Sequence, residues 1–253
     1  MDLQIRVHGD AGRPTLIYLP GVHGDWTLVS SFREAIKGRV RFVEFTYPRT
    51  LTWSLQDHAE AILDRLQTHG IKEGWLLAES FGSVLAWAVL EKAFAAQGVI
   101  LAGGFVRYPF MPLVGFAHWL NRSIPNWGLS AFCRFYAAYA RFRHHKAPDT
   151  YEAVAEFLRR RTEPGDREAL CHRYRLIQQS DARALARSMK IPVYHLCGFF
   201  DPVVPWWAVR KSLLRGCPAH RDRALIWWAD HNVLGTAPRE AAEHIMAWMA
   251  QVT

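Results

Sequence analysis

Disulfide and zinc chemistry have little to work with in this sequence. Its four cysteines in 253 residues, Cys133, Cys171, Cys197 and Cys217, are scattered and form no Cys-x-x-Cys pair. Such spacing outlines neither a metal site nor a disulfide framework, so reduced thiols and no structural metal are expected. Long hydrophobic runs are missing as well, and nothing approaches the roughly 18 uninterrupted apolar residues of a spanning helix. Met1-Asp2-Leu3-Gln4-Ile5-Arg6 carries neither the basic flank nor the apolar run of a secretory signal, which points to a cytoplasmic protein. No repeat and no low-complexity tract interrupts the chain. Charge is sparse at 21%, whereas 50% of residues are hydrophobic, a balance that fits a globular protein with a sizeable core and excludes a disordered one.

The charge that is present leans one way, to a net +8. Residues 105–189 hold 14 Lys and Arg against 7 Asp and Glu, so nearly all of the excess sits in one segment. That segment has no Gly-rich RNA platform, finger spacing or recognition helix, and no nucleic-acid partner is expected. A solvated helical face accounts for the charge, as does a surface with weak attraction for anionic substrates or membrane headgroups.

Short apolar runs bounded by turn residues recur at 15–19, 40–45, 74–78, 98–102, 191–197 and 224–228, and Leu3 to Val7 adds a candidate edge strand. Runs of this kind suit strands buried on both faces of a parallel sheet. Helical patterns lie between them at about 54–69, 81–95, 205–215 and 238–250. In the first of these, Leu55, Ala59, Ile62 and Leu66 share one face and Gly70 stops the helix. The alternation predicts an α/β fold with a mostly parallel, doubly wound sheet. Residues 105–189 break it and read as helical throughout. The chain therefore divides into a core of 1–104 and 190–253 and an inserted helical cap of 105–189.

The sharpest local pattern is Leu76-Leu77-Ala78-Glu79-Ser80-Phe81-Gly82-Ser83. A serine directly follows a buried strand, small residues stand two positions to either side, and a helix begins behind it. A strand-to-helix turn that tight strains the serine backbone and leaves no room for bulky flanks. This resembles the nucleophile elbow of the α/β-hydrolase family, with Ala78 where glycine is usual. Serine becomes a nucleophile only when a base removes its proton. The family order of nucleophile, acid and histidine implies Asp201, in Gly198-Phe199-Phe200-Asp201-Pro202 after the penultimate strand, and His231, in Ala229-Asp230-His231-Asn232 after the last one. Asp230 adjoins His231, but neighbours on an extended loop point apart. The position after 98–102 offers no carboxylate.

The resemblance also implies an oxyanion hole of two backbone amides. One belongs to Phe81, after the nucleophile. The other comes from the loop Leu19-Pro20-Gly21-Val22-His23-Gly24-Asp25, where Pro20-Gly21 assigns Val22 and His23-Gly24 assigns Asp25. Val22 keeps the loop short. The implied activity is a serine hydrolase cleaving carboxylic esters through an acyl-enzyme, without cofactor or metal, on a small-molecule acyl ester. A thioesterase or acyltransferase uses the same triad, and a non-catalytic ligand- or membrane-surface-binding relative is a further alternative. Residues 105–142 hold 11 aromatics in 38, against 13% in the whole chain, so an apolar acyl or aryl pocket is expected, with Phe135, Tyr139 and Trp206 as candidate walls.

Overall fold

The computed structural model describes residues 2–125, 127–128, 131, 135, 148–161 and 163–251, the side chains of 148–154 excepted. Seven strands form one sheet: β1 (Gln4–His8), β2 (Thr15–Leu19), β3 (Arg41–Thr46), β4 (Glu73–Glu79), β5 (Ala95–Ala102), β6 (Val193–Gly198) and β7 (His220–Ile226). Their spatial order is β1-β3-β2-β4-β5-β6-β7. Only β1 runs antiparallel, pairing with β3, and every other pair is parallel. The predicted doubly wound α/β architecture is the one observed.

Strand periodicity divides the core in two. Ile17, Leu19, Leu76, Ala78, Val99 and Leu101 point to one face, whereas Leu16, Tyr18, Trp75, Leu77, Ile100 and Ala102 point to the other. The first face is covered by α2 (Leu55–Thr68), α3 (Gly82–Glu91) and α8 (Trp206–Gly216), through Ile62, Leu85, Val89 and Leu213. The second is covered by α1 (Ser30–Ala35) and α10 (Pro238–Ala250), through Phe32, Ile245 and Trp248. With both faces dry, each central side chain of Leu, Ile or Val size contributes about 1.5–3 kcal/mol of burial free energy. The start of α2 is fixed by a capping box, in which Ser54 Oγ accepts from the Asp57 amide at 3.1 Å and Asp57 Oδ2 accepts from the Ser54 amide at 2.7 Å.

Two strands differ in extent from the sequence expectation of 98–102 and 224–228. Strand β5 starts three residues early, at Ala95, in a stretch of low β-propensity. Strand β7 spans His220–Ile226, and its first residues, His220 to Arg223, are polar because an edge strand leaves them partly in water. Trp227 and Trp228 fall beyond it and are exposed.

Between β5 and β6 the described residues include α4 (Met111–Ser123), α5 (Pro148–Arg161), α6 (Asp166–Gln179) and α7 (Arg183–Ser188). The entry to this segment is tied to the site region. Ser83 Oγ donates to Ser80 O at 2.6 Å and accepts from the Phe105 amide at 3.0 Å, and Trp87 Nε1 donates to Phe105 O at 3.0 Å. A four-residue helix, α9 (Val233–Thr236), follows the last strand.

Candidate active site

Ser80 sits between β4 and α3 with φ at +49°, a left-handed backbone that a non-glycine residue adopts at a cost of about 1–3 kcal/mol. Its amide donates to Ala102 O at 3.1 Å, and the Ser83 amide donates back to Ser80 O at 3.0 Å, so both sides of the turn are fastened. The glycine two residues on has a steric cause. A Cβ on Gly82 would lie 2.0 Å from Leu19 O, because the start of α3 crosses the end of β2. On the other flank Ala78 is fully buried and its methyl is accommodated.

Asp201 and His231 are brought to this serine from 121 and 151 residues away by the ends of β6 and β7. Ser80 Oγ lies 2.9 Å from His231 Nε2, and His231 Nδ1 lies 2.8 Å from Asp201 Oδ2. An ionised carboxylate only accepts, so Nδ1 carries the imidazole proton and Nε2 presents its lone pair to the serine hydroxyl. The Asp201 side chain is fully buried and its Oδ1 accepts from the Val203 and Val204 amides, each at 2.8 Å. Burial opposes protonation of His231. The hydrogen bond and charge of Asp201, with the charges of Glu79 and Asp230, outweigh it, and the imidazole pKa stands above its ordinary value. Asp230 is occupied elsewhere, accepting from the Asn232 amide at 2.9 Å and from Thr236 Oγ1 at 3.3 Å.

The loop after β2 passes over the serine. A Cβ placed on Gly21 would be 3.6 Å from Ser80 Cβ, so the Gly21-Val22 peptide adjoins Ser80. Among the described residues the Phe81 amide has no hydrogen-bond partner. Asp25, the rival register, is buried, and its carboxylate accepts from the Thr27 amide at 3.0 Å and from Arg161 Nη2 at 2.5 Å. Of the residues expected to line a pocket, Trp206 packs 6.2 Å from Phe199 with the Arg223 guanidinium 5.1 Å from its ring. Phe135 is 73% exposed, and Tyr139 lies outside the described residues.

Two arrangements at the site were not anticipated from the sequence. Glu79, inside the elbow, is buried and hydrogen-bonded by the Tyr18 hydroxyl. Its burial pushes the carboxyl pKa up, against the opposing pull of Tyr18 and His231. The second is a guanidinium clamp. Arg173 of α6 is 3% exposed and donates to Val22 O at 2.9 Å, His23 O at 2.8 Å and Pro48 O at 3.1 Å. Desolvation lowers its pKa to about 10, which still leaves it charged at neutral pH. Gly24, at φ +75°, makes room for it, since a Cβ there would meet Arg173 Nη1 at 2.5 Å. Arg161 of α5 reinforces the clamp by pairing with Asp25 at 2.5 Å and Asp166 at 3.3 Å. In the sequence both arginines were indistinguishable from the surplus positive charge of their segment. The only foretaste of Glu79 was its place within the motif.

No protein-family model matches the chain, and no curated protein does. Solved structures match over nearly its whole length. A thermophilic esterase from Thermogutta terrifontis is 18% identical, with 99% of this chain and 93% of that one covered at a TM-score of 0.76. A structure from a study of carboxylesterases of Nitrososphaera gargenis is 14% identical, with 99% and 94% covered at 0.79. An enol-lactonase from Burkholderia xenovorans LB400 is 16% identical, with 99% and 95% covered at 0.74. The chain has the α/β-hydrolase fold. Among the described residues no group of three His, Cys, Asp or Glu side chains could hold a metal ion, and no helix is long and apolar enough to cross a membrane.

Proposed function

We propose that this protein is a serine hydrolase of carboxylic esters, with Ser80 as nucleophile, His231 as general base and Asp201 as the acid that orients and stabilises the imidazolium. The observation that carries the reading is the continuous hydrogen-bonded line from Ser80 Oγ through His231 to Asp201, at 2.9 and 2.8 Å, on a serine held at φ +49°. The esterases and the enol-lactonase among the structural neighbours support the same class of chemistry.

In this mechanism His231 Nε2 takes the Ser80 proton as Oγ attacks the acyl carbon. The carbonyl π electrons move to oxygen, and the amides of Val22 and Phe81 receive that oxyanion. The Gly21-Val22 peptide beside Ser80 favours Val22 over Asp25 as the second donor. Collapse expels the alcohol, which leaves with the proton from His231. Water, deprotonated by the same imidazole, then releases the acid from acyl-Ser80. Residues 105–189 act as the cap, whose aromatic composition supports an apolar acyl or aryl group on the substrate.

The test combines labelling with turnover. A fluorophosphonate probe is expected to label the wild type at Ser80 alone, and Ser80→Ala is expected to abolish hydrolysis of p-nitrophenyl esters with the fold intact. Labelling at another residue, or full activity in the variant, removes the proposal. Acyl-CoA thioesters run beside esters of matching chain length identify the preferred leaving group.

A further inference from the structure

A second surface, outside the catalytic line, has the character of an interfacial face. On α8 the residues Trp207, Arg210, Lys211, Leu214 and Arg215 recur at helical spacing and line one shallow groove. The opposite side of the same helix buries Val209 and Leu213 in the core, so the groove faces outward. Trp207 is 56% and Leu214 62% exposed, a large apolar area for the surface of a soluble helix. The start of helix α4 meets this surface, where Phe110 lies edge-on to Trp207 at 5.7 Å between ring centroids, and α4 itself exposes Phe116 and Trp119 at 55% and 60%.

Along the sequence, the segments that carry these rings hold charge of one sign. No Asp or Glu occurs between Asp201 and Asp222, where there are four cations, nor between Glu91 and Asp149, where there are seven. Among the described residues Arg210, Lys211 and Arg215 take part in no ion pair. The aromatic surface also reaches the catalytic loops. Phe199, two residues before Asp201, packs on Trp206 at 6.2 Å and stacks on Trp227 at 4.2 Å, four residues before His231.

We propose that the outer face of α8, met by the start of α4, docks the protein on an anionic lipid surface, with Trp207 and Leu214 inserted among the acyl chains and Arg210, Lys211 and Arg215 on the headgroups. Long cationic side chains that carry their charge past an apolar stem suit that boundary. A second copy of this chain is a poor occupant, because a two-fold contact would set three unpaired cations against three more. A polyanion such as RNA would use the cations but leave Trp207 and Leu214 without a role.

The docking does not depend on catalysis, so it is measured as binding. The full chain is sedimented with phosphatidylcholine vesicles with and without phosphatidylglycerol, at low and at high salt. Wild type is expected to pellet with the anionic vesicles and to be released by salt. The triple variant Arg210→Gln, Lys211→Gln, Arg215→Gln is expected to lose about a hundredfold in partition, at about fivefold per cation. Trp207→Ala with Leu214→Ala is expected to lower binding at every salt concentration while keeping a cooperative thermal transition, because both side chains lie outside the core. Wild type that stays in the supernatant, or a Trp207/Leu214 variant that pellets like wild type, overturns the proposal. Binding to single-stranded RNA that is lost in the same Trp207/Leu214 variant also overturns it and assigns the face to a polyanion.

Discussion

Replacing Arg173 by methionine tests whether helices between β5 and β6 control the chemistry of a site they do not contribute to directly. Methionine fills much of the volume of the arginine stem but donates nothing. The carbonyls of Val22 and Pro48 then lose a donor, and His23 O keeps only a 3.4 Å contact with Arg161 Nη1. A buried acceptor left without a partner costs about 1–3 kcal/mol, so the two orphaned carbonyls together imply a stability loss of about 2–6 kcal/mol. The loop that loses its anchor carries the Val22 amide. In the proposed mechanism that amide is an oxyanion donor, so its displacement should lower kcat by roughly 10²–10³, because such donors act on the transition state. KM should change little by comparison. Urea titration gives the stability, and p-nitrophenyl butyrate turnover, measured well below the unfolding transition, gives kcat and KM. Arg173→Lys, which keeps the charge but cannot reach all three carbonyls, should fall between the two. A variant that loses stability but keeps kcat within about twofold of wild type refutes the reasoning and reduces the clamp to a structural brace.

Other outcomes follow from the titrating groups. In the proposed mechanism His231 must be neutral to act as base, so kcat/KM should rise with pH through a pKa above the ordinary histidine value. Asp201→Asn removes the largest of the contributions that raise that pKa, so the limb should move to lower pH while the plateau falls by about 10⁴. Asp230→Asn should be mild, and the reverse pattern would reassign the acid. Acid should also weaken the fold through His58 and His195, both buried, whose pKa values desolvation lowers to about 4 and about 3. The unfolded chain protonates these rings near pH 6.5 and the folded chain does not. At these two rings unfolding therefore takes up protons between about pH 6.5 and 4, and stability falls as pH falls in that window. A urea midpoint that stays level between about pH 7 and pH 5 contradicts this assignment.

The strand and helix succession was legible in the sequence because it follows from local periodicity. Runs such as Leu16 to Leu19 and Leu76 to Ala78 must be buried on both sides wherever they lie, and the helices between them carry one apolar stripe. The elbow was legible for a similar reason, since a small-x-Ser-x-Gly turn between strand and helix is a local steric requirement, met here at Gly82. The start of β7 was less legible because an edge strand leaves its polar residues in water and blurs the alternation. Ser80 stood out by its local motif, and Asp201 and His231 by the order of motifs that the family resemblance implies. Only the sheet order, which sets β4, β5, β6 and β7 side by side, put their atoms within hydrogen-bonding distance. The roles of Arg173, Arg161 and Glu79 belonged to tertiary structure entirely. A charged side chain in sequence carries no mark of whether it will meet water or a buried partner, and long-range packing decided that for these three.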